Sequence, residues 1–210
     1  MKHHDHKWFA RYWNWQLRTE TEKIRELRKR VAGGARGRVL EIGCGAGANF
    51  DHYGADASEV IASDPNRYMV EIAGERAKKL GRVIEVREAS AEALPFGDAS
   101  FNTVVSTFNM CSIDRPEQGL AEIRRVLISG GEYRFCDHVR SEDNRVLAFW
   151  QDALTPIHRR ILGAGCHLNR RTGSLIEAAG FGSVQIEYCK PLPTVPMAIY
   201  RPHIVGVATR

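Results

Sequence analysis

The chain has 210 residues, 43% of them apolar, with a formal net charge of +5 and an isoelectric point near 9.1. This length suits one domain with a sizeable core. The sequence contains no signal peptide and no apolar run long enough to cross a bilayer, so we expect a cytoplasmic protein rather than a secreted or membrane-spanning one.

Residues 1–34 combine a cluster of aromatic side chains with apolar residues at helical spacing, including Ile24, Leu27 and Val31. The pattern predicts two helices that break near residues 18–21. We expect a helical lid over the carboxyl ends of the strands, where an α/β sheet binds its ligands, with Tyr12 reaching the ligand. The alternatives are aromatic packing on the core and weak peripheral contact with a membrane surface.

A short apolar run containing Glu41 ends in three alternating glycines, Gly43, Gly45 and Gly47. The pattern predicts a buried strand, a tight turn and then a helix, with backbone N–H groups free to approach a nucleotide-like cofactor. Dinucleotide binders and S-adenosylmethionine (SAM) binders share such glycines. Glu41 favours SAM, because a carboxylate suits the cationic methionine end and offers nothing to a pyrophosphate. A nicotinamide-dependent oxidoreductase remains the rival.

The segment 59–63 predicts a second strand, and Asp64 follows it. An acid at this point accepts hydrogen bonds from ribose hydroxyls. Its alternative role is to cap the helix predicted over residues 67–80. Asp64 therefore indicates a nucleoside without identifying it.

Further strands are predicted at 83–87 and 100–107. A helix that runs to a glycine stop at Gly130 and Gly131 should feed a strand at 132–136. The segment 140–168 reads as an insertion above the active face, where we expect acceptor specificity. A helix at 171–179, strands at 184–189 and 199–209, and a proline-rich loop at 191–196 complete the chain.

Five segments in order, EIGCGAG, ASDPN, ASAEALPF, SFNTVVS and EIRRVLISGGEYRF, resemble class I SAM-dependent methyltransferases. The resemblance implies a three-layer, Rossmann-like α/β fold over residues 35–210, with a seven-stranded, mostly parallel sheet whose last strand is antiparallel. It implies an enzyme that binds SAM and releases S-adenosylhomocysteine. The expected cofactor-binding residues, besides Tyr12, are Glu41, Gly43, Cys44, Gly45, Gly47, Asn49, Asp64, Pro65, Asn66, Met69, Ala91, Glu92, Thr107, Phe108, Asn109 and Ser112.

The segments STFNMCSI, DHV, FWQDALTPIHRRILGAGCHLNR and RPHIVGVA resemble one branch, the alkyl thiol methyltransferases and their bacterial relatives labelled phospholipid methyltransferases. This resemblance implies methyl transfer to a small-molecule acceptor, with a thiol sulfur as the leading candidate. N-methylation of phosphatidylethanolamine or another small amine is the alternative within the enzyme class. A SAM-binding module without catalysis is the alternative outside it.

A thiol needs help to become a thiolate at neutral pH, and a histidine can act as base or as positive field. His138, after a strand end, is the first catalytic candidate; its alternative is a histidine bonded to a loop carbonyl. His167, in the insertion, is the second. The five cysteines contain no Cys-x-x-Cys pair, which indicates reduced thiols, and no metal site is expected. No basic run is interleaved with aromatics, so we expect no nucleic-acid partner.

Overall fold

The computed structural model describes residues 7–16, 19–161, 165–192 and 198–210. A seven-stranded sheet forms its centre, with strands in the order β3-β2-β1-β4-β5-β7-β6. The strands are β1 Gly37–Ile42, β2 Ala57–Asp64, β3 Ile84–Glu88, β4 Phe101–Thr107, β5 Leu127–His138, β6 Ser183–Cys189 and β7 His203–Thr209.

Six α-helices lie within the described residues: α1 Lys7–Gln16, α2 Glu22–Gly33, α3 Arg67–Lys79, α4 Pro116–Val126, α5 Arg145–Ile161 and α6 Thr172–Ala178. Thr21 caps α2 by accepting a hydrogen bond from the Ile24 amide, and Pro116 begins α4, where a missing N–H costs nothing. The two predicted N-terminal helices are confirmed, and they break where expected.

The first five strands pair in parallel, and β7 is antiparallel to both β5 and β6. The expected mostly parallel sheet with an antiparallel last strand is confirmed. Successive residues of the central strands point to opposite faces. Leu40 and Val104 join the core beneath α4 and α6, whereas their neighbours Val39 and Val105 join the core beneath α2 and α3. The result is three layers, helices on both faces of one sheet.

Three features differ from the sequence prediction by more than two residues or in the type of element. The segment after β1 forms successive turns over residues 45–52 instead of a helix, because Gly45 (φ 53°) and Gly47 (φ 79°) lie in the left-handed region, which a right-handed helix excludes. Strand β5 begins at Leu127, and Gly130 lies inside it where the pairing with β4 shifts register, so this glycine forms a bulge rather than a helix stop.

The last strand begins at His203, later than predicted, because residues 198–200 form a 3₁₀ turn. The predicted insertion contains the long helix α5. Most of the predicted loop at 191–196 lies outside the described residues. None of the described helices has the combination of length and apolarity that spanning a bilayer requires.

Candidate active site

The glycine turn lies at the carboxyl edge of the sheet, between β1 and β4, where the strand order reverses. Gly43 has a φ of 62°, and a Cβ there would overlap the Asn109 side chain at 2.2 Å. By contrast, a Cβ on Gly45 would meet no described atom within 4 Å. The turn is therefore closed on the side of β4 and open at Gly45, as a cradle for a ligand requires.

Asp64 ends β2 beside this opening and is buried. Its Oδ2 accepts a hydrogen bond from the Gly45 amide at 3.0 Å, and its Oδ1 accepts one from the Asn66 amide at 2.9 Å. Burial raises the pKa of Asp64 to about 6, although these two amides lower it. The helix cap is Asn66 rather than Asp64, since the Asn66 Oδ1 accepts from the amides of Tyr68 and Met69. The carboxylate thus remains available beside the opening.

Glu41 lies beneath the turn rather than on its surface. It is buried, its Oε1 accepts from the Asn49 amide group at 2.9 Å, and its Oε2 accepts from the Tyr53 hydroxyl at 2.6 Å. Burial raises the pKa of Glu41 to about 7, against the lowering effects of Tyr53, Asn49 and the Arg28 cation. Glu41 therefore supports the turn from below, and its contact with a methionine ammonium stays a prediction.

Arg28 reaches this region from α2, which the sequence reasoning missed. Its guanidinium donates to the Thr107 Oγ1 at 2.6 Å and to Glu20 at 2.8 Å, and it lies 4.7 Å from the centre of the Phe108 ring. Phe108 has a φ of 54°, a strained conformation that clusters at functional sites. Arg28 lies on the same buried face of α2 as Ile24 and Val31. A charged residue on an otherwise apolar helix face could have been recognised in the sequence as a candidate functional residue.

The other expected cofactor residues lie along the same edge. Cys44 is buried, and burial raises its pKa; Met69 packs with Ala10 of α1 and Ala46 of the glycine turn. Glu92 binds Arg115, accepting from its amide at 2.7 Å. Pro65 is exposed, Ala91 is buried, and Asn109 precedes the 3₁₀ turn Met110–Ser112. The side chain of Tyr12 lies outside the described part of the structure.

Beyond the glycine turn, three side chains from distant parts of the chain meet at the same edge. Cys111 follows β4, His138 ends β5, and Cys166 follows α5. All three are buried, and their ligating atoms lie within 4.8 Å of one another. The His138 Nε2 lies 2.9 Å from the Cys166 Sγ, and within the described part of the chain the His138 Nδ1 has no hydrogen-bond partner. We call these residues the cysteine–histidine cluster.

The cluster is electrostatically coupled. Contact with Cys111 and the charge of His138 lower the pKa of Cys166, whereas the contact with Cys166 and burial raise the pKa of Cys111. Burial alone lowers the pKa of His138, but Cys166 and Asp137 outweigh burial and raise it to about 9. Burial also raises the pKa of Asp137 to about 6.

His167 and Arg170, which precede α6, contact the backbone around Cys111 and so hold this part of the cluster in place. Arg170 donates to the carbonyls of Met110 at 2.5 Å and Ile113 at 2.6 Å, and the His167 Nδ1 lies 3.1 Å from the Cys111 carbonyl. Burial and the Arg170 charge lower the pKa of His167. The structure thus brings both catalytic candidates, His138 and His167, to one edge, with His167 bound to backbone.

A glycine turn after the first strand, a buried acid after the second and an antiparallel strand inserted beside β6 define an enzyme of the SAM-dependent methyltransferase class. The model of a methyltransferase domain matches residues 40–135. The human thiol S-methyltransferase TMT1B is 35% identical over 198 residues, which is 90% of this chain and 78% of the relative. The chain therefore belongs to the SAM-dependent methyltransferase family.

Solved structures show the same fold. A SAM-dependent methyltransferase from Aquifex aeolicus superposes with a TM-score of 0.61 at 19% identity, covering 92% of this chain and 96% of the other. Phosphoethanolamine N-methyltransferase 2 of Haemonchus contortus, in complex with SAM, superposes with a TM-score of 0.69 at 15% identity, covering 90% of this chain and 52% of the other. The protein is a SAM-dependent methyltransferase with a Rossmann-like fold.

Proposed function

We propose that the enzyme transfers the SAM methyl group to the sulfur of a small thiol. The observation that carries this proposal is a group of basic side chains at the carboxyl edge of the sheet. The imidazoles of His138 and His158 both lie against the Tyr200 ring, the Arg170 guanidinium contacts His167, and the neighbouring Asp137 carboxylate already accepts from the Cys111 amide at 2.8 Å. The 35% identity to a thiol S-methyltransferase supports the same acceptor class.

A group of basic side chains suits a thiol for a physical reason. A thiol with a pKa of about 8.5 is only a few per cent thiolate at neutral pH, and each unit of pKa depression contributes about 1.4 kcal/mol. Positive charge stabilises the thiolate, which is the form of the acceptor that attacks the methyl group. His138 is the group we place beside the acceptor sulfur, and His167 is the second candidate.

For the cofactor, we propose that Asp64 binds the ribose hydroxyls, that the Gly43–Gly47 turn approaches the methionine portion, and that Arg28 holds the methionine carboxylate. We assign this role to Arg28 because a fixed guanidinium already projects to the end of β4 at Thr107, and the contact expected from Tyr12 stays a prediction. Residues 1–34 then form the lid. The packing of α1 against α3 and the glycine turn supports this placement.

The acceptor class is tested with radiolabelled SAM and three acceptors: a small alkyl thiol, phosphoethanolamine, and vesicles containing phosphatidylethanolamine. We expect label in the methyl thioether, and no label with an Asp64→Asn control that binds SAM poorly. Label only in the amine or only in the lipid contradicts the thiol assignment and favours N-methylation.

We also propose a peripheral contact between α5 and an anionic membrane surface. The polarity of this helix is the reverse of the usual one. Its buried face carries polar side chains, and Gln151, Thr155 and His158 make internal hydrogen bonds there. Its outward face exposes large apolar side chains, namely Val146, Phe149, Trp150, Leu154 and Ile157. Exposed arginines at both ends of the helix, Arg145, Arg159 and Arg160, supply charge complementary to anionic headgroups.

Vesicle flotation tests this contact. We expect the protein to float with phosphatidylserine vesicles and less with neutral ones, and a Phe149→Ser/Trp150→Ser variant to lose flotation while still binding S-adenosylhomocysteine. Equal flotation of the variant would refute the contact. The five free cysteines support a reducing location, for which we propose the cytoplasm.

A further inference from the structure

We propose that the cysteine–histidine cluster is a binding site for a thiophilic divalent cation of the Zn²⁺ type, and that the fourth coordination position takes the sulfur of the methyl acceptor. The metal site stands on the geometry alone. Its role in catalysis rests on the proposed thiol methylation. The site cannot be recognised from a short sequence motif, because its three ligands come from separate elements. Cys166, for example, lies 28 residues after His138.

The donor set is the first support. Two thiolates and one imidazole are ligands that Zn²⁺ prefers, and three protein ligands with an open fourth position are typical of catalytic zinc. Bond lengths of about 2.3 Å to sulfur and about 2.0 Å to nitrogen place tetrahedral ligands about 3.6 to 3.8 Å apart. The three ligand atoms already lie within 4.8 Å of one another, so an adjustment of about an ångström completes the site.

The buried polar atoms are the second support. The His138 Nδ1 and the Asp137 Oδ1 are buried and have no hydrogen-bond partner among the described residues, where the partner recorded for the His138 Nε2 is the Cys166 sulfur. Buried polar groups in folded proteins are nearly always satisfied, so an unpartnered imidazole nitrogen here calls for an explanation. Coordination of a metal by one ring nitrogen of His138 accounts for the burial of this ring between two thiols.

The surroundings hold the ligands in place, as the outer shell of a metal site does. The Cys111 amide donates to the Asp137 Oδ2 at 2.8 Å, and the Cys111 carbonyl accepts from the His167 amide at 2.9 Å. The Cys166 carbonyl lies 3.2 Å from the His158 Nδ1. Two thiolates balance a divalent cation, and Asp137 balances the neighbouring Arg170, so the metal-bound site is neutral before the acceptor thiolate enters.

The open position explains how a thiol could be activated. A thiol that binds Zn²⁺ loses its proton to solvent and becomes a thiolate. Its sulfur then forms a bond to the SAM methyl carbon while the bond from that carbon to the sulfonium breaks, and the electron pair stays on the sulfur of S-adenosylhomocysteine. The neutral thioether product is a weaker ligand and dissociates. Cys111 lies only four residues after Thr107, so the site and the cofactor cradle share one edge.

Metal titration of the reduced full-length protein tests the site directly. His3, His4 and His6 could also ligate a metal, so all proteins carry alanine at these three positions. After chelator treatment, Zn²⁺ is titrated against a chromophoric competitor, and Co²⁺ is added as a spectroscopic probe. We expect one Zn²⁺ per chain and a thiolate-to-cobalt charge-transfer band.

Cys111→Ser and Cys166→Ser should each weaken Zn²⁺ binding by about 100-fold or more and reduce the band, whereas Cys189→Ser, a change in a cysteine outside the cluster, should leave both unchanged. Binding of S-adenosylhomocysteine by every variant verifies the fold. Absence of one-equivalent uptake, or equal uptake by a Cys111→Ser/Cys166→Ser double variant, overturns the metal site, as does a Cys111–Cys166 disulfide that persists under reductant.

The catalytic role has its own test. A small alkyl thiol added to the Co²⁺-loaded protein should shift the charge-transfer band, because its sulfur enters the fourth position. Thiol methylation that survives chelation and Cys166→Ser overturns the metal's role and leaves the proposed function standing. Zn²⁺ uptake with no methylation of any thiol overturns the proposed function and leaves the metal site standing.

Discussion

Replacing Glu41 with glutamine should improve stability relative to the wild-type protein as the pH rises from about 5.5 to about 8. Burial raises the pKa of Glu41 to about 7; Tyr53, Asn49 and Arg28 lower it, and the charge of Asp64 adds to the rise. An acid with a raised pKa holds its proton more tightly in the folded state than in the unfolded one. The stability that this proton contributes is fully present below a pH of about 4.5 and is lost as the pH rises through about 7.

The magnitude follows from the two pKa values. Relative to a permanently neutral side chain, ionisation of Glu41 costs the folded protein about 1.4 kcal/mol at a pH of about 5.5 and about 3.3 kcal/mol at a pH of about 8. Glutamine does not titrate, so the Glu41→Gln variant should gain about 2 kcal/mol on the wild type between these conditions. For a domain of this size the gain corresponds to a change of about 4 to 8 °C in the difference between the two Tm values.

Thermal unfolding of the ligand-free proteins, followed by circular dichroism at both pH values, measures this difference. The burial of Asp64 raises its pKa in wild type and variant alike, so that contribution cancels, and only the smallest of the effects on the pKa of Glu41, its coupling to Asp64, differs between the two proteins. Glu71→Gln makes the same chemical change at an exposed position of α3 and is the matched control. A gap between Glu41→Gln and wild type that is equal at both pH values, or that moves against the variant at the higher pH, would refute the reasoning.

Three further predictions concern the cofactor cradle. Asp64→Asn should weaken binding of both SAM and 5′-methylthioadenosine by about tenfold or more, because both carry the ribose. Arg28→Met should weaken SAM by a similar factor and leave 5′-methylthioadenosine unchanged, since only SAM has the carboxylate; calorimetry showing equal losses for both ligands would remove Arg28 from that role. Gly45→Ala should cost about 1 to 2 kcal/mol of stability because of the left-handed φ at this position. It should also largely abolish SAM binding, because the new Cβ projects into the open space where we place the cofactor. By contrast, Gly206→Ala should prevent folding, because its Cβ would lie 2.2 Å from the Gln185 carbonyl oxygen. Gly45→Ala with normal SAM affinity would place the cofactor elsewhere.

The cofactor half of the site was predictable because its signals are local. The glycines, Glu41 and Asp64 each follow a strand, and strand ends can be inferred from apolar runs. The turns that replace the expected helix were harder to predict. Both outcomes begin with the same glycines, and the positive φ at Gly47, where a Cβ would overlap the Phe50 ring at 2.7 Å, depends on how that ring packs.

The cysteine–histidine cluster could not be predicted, for the opposite reason. Its members meet only because β4 and β5 are neighbours and the chain after α5 folds back over them. Local spacing carries no information about such a meeting. Tyr53 is a similar case: its hydrogen bond to Glu41 follows from the turns over residues 45–52, and nothing in the neighbouring sequence singles it out.

The antiparallel strand has a consequence for the chemistry of this edge. In a parallel sheet, a strand contributes to the site only at its carboxyl end, but β7 runs the other way and pairs His203 with His138 at the same edge. The edge thereby acquires an imidazole from the start of a strand, and burial lowers the pKa of His203 to about 4, so this ring stays neutral beside the cluster. The neutral His203 ring adds no charge beside the proposed metal ligands, so Arg170 remains the fixed positive charge there. The cysteine–histidine cluster itself then stabilises the acceptor thiolate.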